Sequence, residues 1–252
     1  MGNAARSCAA RGLVAKSRVL AGAVTTVVVF SLVSAVPASA ASTAWAVVAS
    51  PSPGPDNSLN AVSCATSRWC VSVGFYADAV TGLGRTLVET WDGTSWSIVP
   101  SPNVGAGNND LSGVSCVTAR SCVAVGYYLD PVSGALRTLV ENWDGNTWTI
   151  TPSPTPGISG YLSAVSCATA RSCVAVGFYT DDWNSPYRTL VETWDGAAWT
   201  IVPSPSPGTS FNFLNGVSCP IPTACVAVGN VTSAPGTTQQ TLVLSNMATP
   251  QV

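Results

Sequence analysis

Leu111 to Tyr128 reads L-S-G-V-S-C-V-T-A-R-S-C-V-A-V-G-Y-Y. After a loop, Arg137 to Pro154 reads R-T-L-V-E-N-W-D-G-N-T-W-T-I-T-P-S-P. Nearly the same string runs from Leu59 to Pro102 and from Leu162 to Pro205, and a partial copy starts at Leu214. The leading cysteines Cys64, Cys116, Cys167 and Cys219 follow one another at 52, 51 and 52 residues. A fixed period near 50 residues marks a repeat architecture, in which each unit buries its apolar face only against its neighbours.

Each copy carries four strand signals. Leu111 to Cys116 is a short apolar run, strand a. Val117 to Ser121 is a small polar loop, and Cys122 to Tyr128 alternates larger and smaller side chains as strand b. Leu129 to Leu136 is a loop with Asp, Pro and Gly, and Arg137 to Trp143 is strand c. Asp144-Gly145 predicts a type I′ hairpin turn, because both residues tolerate positive φ. Asn146 to Thr151 is strand d, ended by Pro152-Ser153-Pro154, since proline cannot donate to a ladder. No helical period occurs outside the first forty residues.

Four antiparallel strands per ~50 residues make a propeller blade. In period and strand count the chain resembles kelch-like propellers. The segments T-W-D-G-T-S-W (Thr90 to Trp96) and T-W-D-G-A-A-W (Thr193 to Trp199) resemble the Asp-box turn of sialidase-type propellers. The expected fold is all-β: a four-bladed β-propeller of ~51-residue repeats over residues 41–252. The copies lie near 59–110, 111–161, 162–213 and 214–252. Strand d recurs at Trp96, Trp148 and Trp199 but is missing after the fourth strand c. A spare copy, Trp45-Ala46-Val47-Val48-Ala49-Ser50-Pro51, stands near the N-terminus. Residues 42–51 are therefore expected to complete the last blade and close the ring within a monomer. The alternatives are two chains combining into a larger ring, or an open array.

Residues 1–40 read as a signal peptide. Arg6, Arg11, Lys16 and Arg18 form a basic start, Val19 to Val36 is mostly apolar, and Ala38-Ser39-Ala40 is a small-x-small cleavage site. An uncleaved anchor is the rival reading, as the apolar run is near spanning length. With cleavage, no stable membrane insertion is expected and the protein is secreted or held in the cell envelope. Six Arg then face twelve Asp and Glu, a net charge of −6. Such a lysine-free, weakly acidic surface argues against nucleic acid as a partner. Eight cysteines remain as four C-x5-C pairs, Cys64/Cys70, Cys116/Cys122, Cys167/Cys173 and Cys219/Cys225. An even count in an exported chain implies disulfides, one per copy. With no His and this spacing, no metal centre is expected, nor is a cofactor.

The polar residues recur in register: Glu89, Glu141 and Glu192; Asp92, Asp144 and Asp195; Arg85, Arg137 and Arg188; Arg68, Arg120 and Arg171. Acid–base catalysis needs carboxylates in different environments, and a pseudo-symmetric repeat makes their environments alike. Asp is read as capping its own turn, and Glu and Arg as tethers between blades; no catalytic residue is assigned. The paired tryptophans are read as packing. The a–b and c–d turns share one nearly invariant face. The b–c and d–a loops share the other, where the copies differ, and binding commonly resides in loops on a rigid scaffold. The third copy is richest there: Asp181, Asp182, Trp183, Asn184 and Tyr187, near Phe211 and Phe213. The expected function is a binding module for glycans or cell-surface proteins. The alternatives are a glycan-processing enzyme of sialidase or lyase type and a purely structural envelope protein.

Overall fold

The structure, a computed structural model, describes residues 44–233 and 238–247; the expected signal peptide lies outside the described residues. Among the described residues, fifteen strands form four antiparallel sheets, one per sequence copy. The first holds β1 (Asn57–Thr66), β2 (Trp69–Ala77), β3 (Gly84–Trp91) and β4 (Trp96–Ile98). The second holds β5 (Asn109–Thr118), β6 (Ser121–Leu129), β7 (Leu136–Trp143) and β8 (Trp148–Ile150). The third holds β9 (Ser159–Thr169), β10 (Ser172–Thr180), β11 (Arg188–Trp194) and β12 (Trp199–Ile201). The fourth has three strands among the described residues, β13 (Phe211–Ile221), β14 (Ala224–Thr232) and β15 (Gln240–Ser245). Each sheet is a meander in chain order, the arrangement of a propeller blade.

The core lies between successive sheets. Val71, Val73 and Val88 of the first pack against Leu111, Val114, Leu139 and Trp148 of the second. Val123, Val125 and Val140 of the second pack in the same way against Leu162, Val165, Leu190 and Trp199 of the third. Trp148 and Trp199 are buried, as their reading as packing residues requires. The leading strands β1, β5, β9 and β13 lie side by side in that order. Three repeated hydrogen bonds join them: the N–H of Cys116, Cys167 and Cys219 donates to Ser63, Ser115 and Ser166 Oγ, each at 3.0 Å.

The disulfides are Cys64–Cys70, Cys116–Cys122, Cys167–Cys173 and Cys219–Cys225. The first three bridge directly opposed residues of the first two strands of their sheets, the fourth falls where the β13–β14 register shifts between Ser218 and Ile221, and all four point to an oxidising environment. Each closes so short a loop that the chain-entropy contribution is about 2 kcal/mol. Peptide mapping under non-reducing conditions is expected to find these four pairs. A bridge joining two copies would contradict the sheet assignment.

The Asp-Gly turn differs from the type I′ expectation. Only the glycine has positive φ, at 99° for Gly93 and Gly145 and 96° for Gly196, and among the described residues no non-glycine residue does. Trp143 pairs directly with Trp148, which leaves the four residues Asp144 to Thr147 in the loop. The Asp144 carboxylate accepts the N–H groups of Asn146 and Thr147, each at 2.8 Å. Strand d accordingly starts at Trp148 and not at Asn146. The side-chain acceptor replaces a backbone one, so aspartate need not leave its preferred φ range.

The outer strand expected to complete the fourth sheet is not found among the described residues. β15 pairs only with β14, and Trp45 and Val47 are fully exposed. Ser50 donates to Glu89 Oε2 at 2.7 Å. Ser101 serves Glu141 and Ser153 serves Glu192 in the same way, each at 2.6 Å. The glutamates thus anchor the proline-rich segments that lead into the first three sheets. The arginine contacts seen among the described residues stay within one copy rather than tethering blades. Arg188 pairs with Asp181 of its own copy, the one ion pair among the described residues. Arg68, Arg120 and Arg171 lie over Gly93, Gly145 and Gly196 of their own copies.

Candidate functional site: an aromatic strip on the variable face

The two faces differ in chemistry as well as in sequence. On the invariant face, the aspartates are consumed by their turns. Asp92 is held down to about 2, first by the Thr94 hydroxyl and then by the N–H groups of Ser95 and Thr94. Asp144 and Asp195 are lowered by the backbone N–H groups of their loops. Trp143 donates its indole N–H to Ala119 O at 3.1 Å, and its ring lies 5.6 Å from that of Trp148. The turn aspartates and the Trp143 indole are thus satisfied within their own copies.

On the variable face, the start of strand a meets the end of strand b. The opposed pairs are Ser58/Phe75, Asp110/Tyr127, Tyr161/Phe178 and Phe213/Asn230. Across the sheets these rings form a continuous strip. Centroids are 5.1 Å apart for Tyr127–Tyr161, 5.1 Å for Tyr161–Phe178 and 4.5 Å for Phe178–Phe213. Tyr187 and Phe211 extend the strip outward, 5.7 Å apart and stacked. Aromatic rings at such separations hold one another by offset-stacked and edge-to-face contacts, so the strip is a rigid surface.

Beyond Tyr187, an open groove of about 690 Å³ is lined by Trp183, Asn184, Ser185, Pro186, Tyr187, Thr209, Ser210, Phe211 and Ser233. Trp183 stands 63% exposed at its rim and Phe211 38% exposed. Asp182 shapes this loop and does not line the groove: its carboxylate accepts the Asn184 N–H at 2.8 Å and the Ser185 hydroxyl at 2.5 Å. Those bonds hold its pKa below the ordinary carboxylate range. Thr180 Oγ1 ties the loop from below, donating to Asp182 O at 2.6 Å. Asp181 is engaged by Arg188 Nε at 3.1 Å. Phe213 supports the strip from within, against Phe178, Tyr187 and Phe211.

The seven residues singled out in the sequence are therefore neighbours, with different positions. Trp183, Asn184, Tyr187 and Phe211 face the groove, Phe213 lies behind it, and Asp181 and Asp182 order the loop. The sequence reading missed Tyr127, Tyr161, Phe178 and Asp110. The available signal was variation within strands that otherwise repeat: Ser58, Asp110, Tyr161 and Phe213 share one position, and Phe75, Tyr127, Phe178 and Asn230 another.

At the other end of the strip a polar pocket of about 200 Å³ opens between the first two sheets, beside Asp56, Phe75, Asn108, Asp110 and Tyr127. Burial pushes the Asp110 carboxyl up to about 6, against the partial stabilisation given by Asn60 Nδ2. Burial also raises the Tyr127 hydroxyl, with the Asp110 charge adding to it. Tyr161 is raised by burial too, and its hydroxyl shares a 2.7 Å hydrogen bond with Ser112. Among the described residues no group of three or more His, Cys, Asp and Glu is placed to hold a metal ion.

No family model matches this chain, and no curated protein does. Among solved structures it is similar to Sqt1 from Chaetomium thermophilum, at 14% identity and a TM-score of 0.42, over 70% of this chain and 42% of that one. It is similar to YCF48 bound to D1 peptide at 11% identity and a TM-score of 0.35, over 71% of this chain and 62% of that one. A structure titled as a glycoside hydrolase matches at 11% identity and a TM-score of 0.32, over 72% and 63%. The matches thus span 42 to 63% of the length of those three proteins.

Proposed function

We propose that this chain is an exported binding module of the β-propeller type, and that the variable face of its third copy binds a neutral glycan. The observation that carries the reading is the groove lining. Exposed Trp183, with Tyr187 and Phe211, supplies flat apolar surface, while Asn184, Ser185, Ser210 and Ser233 supply uncharged donors and acceptors. Among the described residues no charged side chain lines the groove. Concave, mostly apolar sites with a few placed polar groups are where small ligands bind. A lining of rings and hydroxyls without charge suits a polyhydroxylated, uncharged ligand over an acidic or basic peptide. The disulfides favour an extracellular setting.

A glycan array with the purified protein, followed by calorimetry on any hit, tests this. Trp183→Ala is expected to weaken binding at least about tenfold, the usual consequence of truncating an exposed aromatic anchor. It should leave the melting temperature nearly unchanged, because Trp183 packs little. A large loss of stability would make Trp183 a packing residue. Binding to cell-surface protein without binding to any glycan would move the function to protein recognition.

A further inference from the structure

In the second and third sheets, β8 and β12 press Trp148 and Trp199 into the join with the preceding sheet, each 5% exposed. The corresponding place at the join of the third and fourth sheets is a cavity of about 160 Å³. Val174, Val176 and Val191 form one wall; Val217, Ala227 and Leu244 form the other. The first wall matches, position by position, the Val71, Val73 and Val88 that enclose Trp148. The cavity is an indole site without its indole. Beside it, β15 has an edge that is unpaired among the described residues.

Both outer faces of the sheet series are likewise half of a join. Leu59 and Val62 of β1 are 42% and 60% exposed, whereas the equivalent Leu111 and Val114 are buried. Val228 and Val243 of the fourth sheet are 47% and 63% exposed, whereas the equivalent Val73 and Val88 are fully buried. The Cys–Ser hydrogen bond made at each internal join is left open at the ends, with Cys64 N–H on one and Ser218 Oγ on the other. Opposed Cα atoms 3.9 Å apart in the Cys64–Cys70 pair mark a non-hydrogen-bonded pair. The Cys64 N–H therefore points away from its own sheet.

We infer that these ends meet in a head-to-tail association of two copies of this chain. Trp45 to Val48 of one copy adds as the fourth strand beside β15 of the other, and Trp45 enters the cavity. The segment suits the role: it repeats the strand that starts at Trp96, and Ser50 holds its end at Glu89 as Ser101 holds the next at Glu141. A second copy is the occupant because the two faces reproduce, residue for residue, a join the chain already makes three times. A single copy leaves both faces open. Head-to-tail contacts of this kind give a closed ring when the rotation closes and a filament when it does not.

The test is molar mass by light scattering and sedimentation on the full chain, for wild type, Trp45→Ala and Val243→Asp. Wild type is expected at twice the chain mass or more. Each variant should weaken association about tenfold or more, as truncating a buried aromatic anchor or burying an unpaired charge does. Trp45 and Val243 are exposed in the single copy, so thermal melts of dilute variants should match wild type. Mixing the two variants should restore association, since one carries an intact head and the other an intact tail. Wild type that stays monomeric at high concentration, or a mass unchanged by both substitutions, overturns the inference. A monomer destabilised by Trp45→Ala also overturns it, in favour of closure within one chain.

Discussion

Gly126→Ala is expected to cost at least about 3 kcal/mol, beyond the usual range for overpacking, and to leave little folded protein. A Cβ at Gly126 would lie 2.0 Å from Asp110 O and 2.9 Å from Leu111 Cα. Both are backbone atoms of the paired strand, at a point where the β5–β6 register shifts. Neither can swing aside as a flexible side chain would. Gly74, Gly177 and Gly229 make the same approach to Ser58, Tyr161 and Phe213, at 1.9 Å each. Glycine within a strand commonly marks such a bulge or close backbone approach. The clash falls directly under the aromatic strip, so Gly177→Ala should also displace Tyr161. Urea unfolding of the Gly126 variant measures the cost; a loss under about 1 kcal/mol, the scale of glycine-to-alanine entropy effects, would show that the strands can separate freely here.

Stability is expected to fall as pH rises from about 4.5 to 8. Glu89, Glu141 and Glu192 are completely buried. Each accepts one serine hydroxyl on Oε2, while Oε1 has no partner. Burial pushes Glu141 up to about 8 and Glu192 up to about 7 from 4.5, and raises Glu89 as well. The folded state therefore retains protons that the unfolded state releases. The favourable contribution of these neutral carboxyls is complete below 4.5 and is lost as pH rises through the folded-state values. The slope is at most about 1.4 kcal/mol per pH unit for each group. Asp110, raised to about 6, acts in the same sense. The lowered turn aspartates act oppositely, but their contribution is lost only as pH falls below the ordinary aspartate range. Glu141→Gln keeps the acceptor for Ser101 and cannot ionise. It should flatten part of the profile and exceed wild type in melting temperature above pH 8. A wild-type melting temperature that is level or rising across this range would mean the glutamates are ionised in the fold.

Much of the architecture was legible along the chain because a repeat states each local rule several times. The C-x5-C pairs, the W-D-G turns and the alternating strands each recur at one period. Opposed cysteines, turn-capping aspartates and buried tryptophans follow from interactions within a few residues or across one hairpin. The third-copy loop residues were also readable, since they break the repeat where loops on one face are free to vary.

Three things were decided only by tertiary structure. The turn is a side-chain-capped four-residue loop, because a carboxylate that accepts two N–H groups removes the need for positive φ at aspartate. The glutamates bind incoming serines about 40 residues away, a contact set by how sheets stack and not by strand pattern. Among the described residues β15 carries no outer strand, although the sequence from Trp45 to Ser50 matches strand d. A local match specifies what a strand can pair with, whereas the path of the whole sheet series decides whether that edge is within reach. The same holds for the aromatic strip: single rings scattered over three sheets become one surface only when the sheets bring them to about 5 Å.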